Sequence, residues 1–168
     1  YADDYDNYIV PGACPPNDPW NSGHWFGLLS GFGGQTSGYG PIFVQGSTKG
    51  TFVCPSEAVP FGLYEQKRFQ YTHYAVNCQL TGQYNHSNKI YKTIRTMAAL
   101  TEPSLALFSG DSLTTNIWGL PIAFQFAYRH GAPEIRKTTK DNPDAEPIGQ
   151  GKCNFVFMDG HVGAMTYY

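Results

Sequence analysis

Charged side chains are scarce in this chain. Asp, Glu, Lys and Arg make up 14% of it, and the formal net charge is −2. The few Lys and Arg residues are scattered, which excludes the clustered basic stripe of a nucleic-acid-binding surface. Long apolar runs are also lacking. A membrane-crossing helix needs roughly 20 consecutive apolar residues, and no stretch here approaches that. No signal peptide is visible. No His-Glu-x-x-His, Gly-x-Ser-x-Gly or phosphate-binding glycine loop occurs, which removes the common signatures of zinc peptidases, serine hydrolases and nucleotide-binding enzymes. No two cysteines stand two to four residues apart, so the zinc-finger spacings are absent. Internal repeats and low-complexity tracts are absent as well.

What is plentiful is glycine (19), proline (12) and tyrosine (12). This composition points to a β-rich, loop-rich fold with tightly controlled turns. The density of aromatic residues argues against disorder. A length of 168 residues is most simply one domain, 1–168, large enough for a real core.

The most informative stretch runs from Lys152 to Met165. Two alternating apolar runs flank Asp159-Gly160, a strong hairpin signal because both residues tolerate positive φ. A two-residue loop would set Met158 opposite His161, Phe157 opposite Val162, Phe155 opposite Ala164 and Cys153 opposite Thr166. Phe155, Phe157, Val162 and Ala164 would then form the core face. Other alternating segments predict strands over 69–80, 105–109 and 122–129, with a strand end at Thr51–Cys54. Residues 90–100 are ambiguous between strand and short helix. Trp25, Leu28, Leu29 and Phe32 recur at helical spacing and predict a short helix within 20–32, its rings packing in the core. The pattern is antiparallel sheet with long irregular connections.

Polar residues gather at predicted strand ends: Asp111, Arg129, His130, Asn154, Asp159 and His161. Convergence of imidazole and carboxylate would suit a metal or acid–base centre, and a hydrolase using His130, Asp159 and His161 is one reading. The simpler reading is a hydrogen-bonded network that pins the last hairpin to the sheet, with Arg129 pairing with Asp159 or Asp111 and Asn154 satisfying backbone groups. No metal is favoured there. A second cluster, Asp141, Asp144 and Glu146, offers oxygen ligands suited to calcium, or is a solvated acidic loop. Cys14, Cys54, Cys78 and Cys153 are disulfide candidates with three full pairings, or buried free thiols. The aromatic rings permit a polysaccharide-binding surface by stacking on sugar faces, although core packing explains most of them.

An ordered set of motifs carries a family resemblance. Tyr1 to Pro11, Trp25-Phe26, Cys54-Pro55-Ser56, Tyr74-Ala75-Val76-Asn77, Gly110-Asp111-Ser112, Arg129-His130-Gly131 and Asn154 to Val162 follow one another along nearly the whole chain. Together they resemble the prepilin-type processing-associated proteins, pseudopilin-like proteins of planctomycete and lentisphaera-type bacteria. Between His130 and Asp159 lie 28 residues, more than in that family's pattern, so an insertion is expected around 132–150.

The resemblance implies an α+β pilin-like head, an antiparallel sheet with long loops on a helical spine. It implies no enzyme activity and no cofactor, calcium excepted by analogy with type II secretion pseudopilins. Asp111, Arg129, His130, Asn154, Asp159, Gly160 and His161 become a structural motif. The partners implied are other pseudopilin-like subunits of a type II secretion or type IV pilus-like assembly, with an inner-membrane anchor and a periplasmic or extracellular head. Because the chain opens at Tyr1 in what reads as a helix exit, a leader and an apolar anchoring helix are expected upstream.

Overall fold

The computed structural model describes residues 1–12, 25–30, 39–41, 50–57, 72–82, 84–85, 90–91, 95–112, 126–131 and 151–166. The described elements combine few helices with an antiparallel sheet, an α+β arrangement. Four strands form that sheet: β1 (Tyr74–Val76), β4 (Leu107–Asp111), β5 (Lys152–Phe157) and β6 (Val162–Thr166), hydrogen-bonded in this order. A separate two-stranded ribbon pairs β2 (Tyr84–Asn85) with β3 (Ile90–Tyr91). The helices are α1 (Trp25–Ser30) and α2 (Cys78–Thr81), with short 3-10 turns at Ala2–Asp4 and Met97–Ala99.

Register assigns each side chain to a face, because residues directly opposite in an antiparallel pair project the same way. Val76, Ser109, Val156 and Val162 form one row across all four strands; Ala75, Gly110, Phe155 and Gly163 form the neighbouring row on the other face. Each face has its own apolar cluster. On the Val76 side, α1 delivers Trp25 and Phe26, which pack with Val10, Phe52 and Val76. The Trp25 ring meets Phe52 edge-on, with centroids 5.4 Å apart. On the Phe155 side, Tyr128, Cys153, Phe155 and Phe157 pack with Leu107 and Phe126.

Several local expectations need correction. The strand expected over 69–80 stops at Val76. Asn77 ends it: its side chain accepts a hydrogen bond from the Gln79 N–H at 3.1 Å, capping α2. Its Nδ2 also donates to the Leu107 carbonyl at 3.1 Å, which ties the cap to β4.

The terminal hairpin forms, but its loop holds three residues, Met158, Asp159 and Gly160. The Gly160 N–H bonds to the Phe157 carbonyl, the Phe157 N–H bonds to the His161 carbonyl, and Gly160 takes φ +90°. This matches a turn followed by a left-handed residue in a bulge, the three-residue alternative to the two-residue loop. Pairing therefore shifts by one: Val156 faces Val162, Phe155 faces Gly163, and Cys153 faces Met165. Val162, expected in the core, is instead 66% exposed.

Thr51–Cys54 is turn and irregular backbone rather than strand, and 90–100 splits into β3 and a 3-10 turn. Phe126 to His130 runs beside the sheet through isolated bridges, Phe126 with Ser112 and His130 with Lys152.

Candidate functional site

The Asp111 carboxylate organises the polar centre. It sits at the end of β4, 1% exposed. Its Oδ2 accepts the Asn154 N–H at 2.8 Å and lies 3.0 Å from His130 Nε2. One carboxylate oxygen thus ties three segments together: β4, β5 and the 126–131 strip. Further bonds reinforce the junction. The Asp111 carbonyl accepts the Ala127 N–H at 2.9 Å, and His130 and Lys152 exchange backbone hydrogen bonds. Asp111 Oδ1 is buried with no hydrogen-bond partner among the described residues.

Arg129, next to His130, points to a different acid from either one expected. Its Nη2 pairs with Glu57 at 2.7 Å, both side chains having no exposed surface, and also donates to the Ser112 carbonyl. Glu57 reaches this position through a turn. The Glu57 N–H bonds to the Cys54 carbonyl at 3.2 Å across Pro55 and Ser56. Proline suits the second position of such a turn because its φ is already set.

The same turn places Cys54 in the centre. Its Sγ lies 3.9 Å from His130 Nε2, and its N–H donates to His73 Nδ1 at 2.9 Å. That bond makes Nδ1 of His73 the acceptor and Nε2 the protonated nitrogen. Tyr74 lies against this group. Burial, and then the neighbouring Cys54 and Asp111, push its phenol well above the usual range. Burial likewise pushes up the Cys153 thiol, whose Sγ lies 3.7 Å from the Asp111 carbonyl oxygen.

Asp111, His130 and the Asn154 backbone meet here. Asp159 and His161 do not join them. They form a local pair at the hairpin tip, with His161 Nδ1 2.6 Å from Asp159 Oδ1 and the His161 N–H donating to the same oxygen at 3.1 Å. Both are substantially exposed, and the His161 ring stacks flat on Phe157. Asp159 is held below the usual carboxylate range, first by the His161 N–H and then by its ring. Among the described residues, the one group of three or more metal-capable donors within 4.8 Å is Cys54, Asp111 and His130.

Cys54, Cys78 and Cys153 are buried free thiols, so no disulfide joins them. Cys14, the calcium candidates Asp141, Asp144 and Glu146, and the insertion 132–150 lie outside the described residues. Reading the sequence alone missed Glu57, His73 and the role of Cys54. A usable signal was present for two of them, since Cys-Pro-Ser-Glu is a turn sequence that brings its first and last residues to one side.

No protein-family model, curated protein or solved structure matches the chain.

Proposed function

We propose that this chain is the head of a non-enzymatic, pseudopilin-like subunit of a type II secretion or type IV pilus-like assembly. In this reading the head is held at the outer face of the inner membrane by an apolar helix and works through packing against like subunits. The observation that carries the reading is a gradient of burial along one row of the sheet. Val76 is fully buried and Ser109 nearly so, whereas Val156 is 37% exposed and Val162 66% exposed. The α1 cluster covers the β1 end of this face. At the other end it opens beside an apolar groove of about 300 Å³ lined by Tyr1, Val10, Phe108, Val156 and Met158 among others. A helix leading into Tyr1 would lie next to this groove. Its apolar side would cover Val156 and Val162, supplying the spine that a pilin-like head packs against.

The polar centre supports the same reading. Its hydrogen bonds join segments distant in sequence, as fasteners do. Among the described residues, His130 stands with Asp111 and Cys54 rather than with Asp159 and His161.

The test is the coding sequence upstream of Tyr1, followed by a variant of the whole protein. A processing site followed by an apolar helix is expected. V162D in the full protein should then abolish assembly into membrane-associated filaments while the head stays folded. An upstream sequence without such a helix, or normal assembly by V162D, would overturn the proposal.

A further inference from the structure

We propose that Cys54, Asp111 and His130 form a binding site for a single zinc-class transition-metal ion, through Sγ, Oδ2 and Nε2. The three donor atoms lie within 4.8 Å of one another and come from three separate segments. A thiolate, an imidazole and a carboxylate form a donor set that zinc accepts.

The geometry separates this from the other chemistry that the same residues suggest. A Cys–His–Asp relay uses both ring nitrogens, one facing the nucleophile and the other the orienting acid. Here Cys54 Sγ and Asp111 Oδ2 both approach Nε2, at 3.9 and 3.0 Å. A single nitrogen cannot serve as base for the thiol while it is held by the acid. Three donors converging on one point is instead the pattern of coordination. Tetrahedral zinc at ordinary bond lengths would separate S from N by roughly 3.6 Å and N from O by roughly 3.3 Å. The S–N and N–O separations of 3.9 and 3.0 Å lie within a few tenths of an ångström of these values, and S–O lies within 4.8 Å.

The surroundings fit as well. Asp111 Oδ1 is buried with no hydrogen-bond partner among the described residues, a costly arrangement for a carboxylate and one that a cation on the same group relieves. His73 holds the Cys54 backbone in place, and such outer contacts orient metal ligands. The His130 side chain is 25% exposed whereas Cys54 and Asp111 are buried, so the site lies at the edge of the packed interior. Bound there, the ion would staple the Cys54 turn and the 126–131 strip to the end of β4. The inference is independent of the pseudopilin proposal.

The test uses the folded chain loaded with Zn²⁺ or Co²⁺. One tightly held zinc per chain is expected after dialysis, with a raised Tm. Cobalt should show thiolate-to-metal charge-transfer absorption in the near ultraviolet. C54S should lose that band. H130N, altering a partly exposed side chain, should stay folded by circular dichroism and weaken zinc binding by more than about 100-fold. D159N, at the hairpin tip, should bind as the parent does. A parent chain that gives no thiolate–cobalt band, or an H130N variant that binds zinc as tightly as the parent, would overturn the proposal.

Discussion

Arg129 and Glu57 meet at 2.7 Å, with neither side chain exposed. The pair joins a turn near residue 55 to the strip beside the sheet, and the Arg129 guanidinium also reaches the Ser112 carbonyl. Removing one member of such a pair strands the other charge in the interior, at a cost of about 3–5 kcal/mol. Glu57→Leu and Arg129→Met should each destabilise the fold by an amount in that range in urea unfolding. The double replacement Glu57→Leu/Arg129→Met should recover most of the loss, because both charges leave together. A double variant as unstable as the sum of the singles would show that the pair is not an energetic unit.

Gly110 carries a different constraint. A Cβ built there would lie 2.6 Å from Cδ1 of Phe155 and 3.3 Å from the Asn154 carbonyl oxygen. The Phe155 ring has little room to retreat, because Phe126 meets it edge-on at 4.7 Å. Gly110→Ala should therefore destabilise by about 1–3 kcal/mol, as overpacking does. Phe155→Leu introduced with it should offset part of the loss, making the two changes less than additive in urea midpoints. Full additivity would mean that the ring and the glycine do not compete for the same space.

These two relationships mark where reading the sequence succeeds and where it stops. The short helix at Trp25, β4 and the terminal hairpin were legible because each rests on local periodicity or turn chemistry. The hairpin register was not. Asp-Gly permits both the two-residue loop and the three-residue loop, and the choice moves Val162 from the core face to solvent. The strand expected over 69–80 was cut short by Asn77, whose capping bond competes with strand pairing. Asp111 and His130 were legible as a pair because both stand at expected strand ends, whereas Asn154 joins them through its backbone N–H from within β5 rather than through its side chain. Glu57 was not legible, since it lies 72 residues from Arg129 (129 minus 57) and only the tertiary fold brings them together.

The buried thiols give a chemical prediction. Cys54, Cys78 and Cys153 are each at most 2% exposed. Burial shields all three from the reagent and pushes up the Cys153 thiol, which disfavours the thiolate, the reactive form. Alkylation of these three by iodoacetamide at neutral pH should be slow in the native protein and fast in urea, as followed by peptide mass spectrometry. Rapid native labelling at Cys153 would contradict the packing described around Phe155 and Tyr128.

Asp159 and His161 supply the pH-dependent prediction. The folded state lowers the Asp159 pKa, chiefly through the His161 N–H and secondarily through its ring. A depressed carboxylate stabilises the fold above its unfolded pKa, near 3.8, and that contribution fades as the pH falls through the lower folded value. The effect is confined to acid and leaves stability at neutral pH flat. Carbon-detected NMR titration should place the Asp159 carboxyl below the ordinary carboxylate range. His161→Ala should move it upward without restoring the ordinary value, because the larger contribution comes from a backbone N–H that the substitution keeps. A complete return to the ordinary value would assign the shift to the ring instead. No change at all would mean that the His161 ring contributes nothing and that the backbone N–H alone holds the carboxyl down.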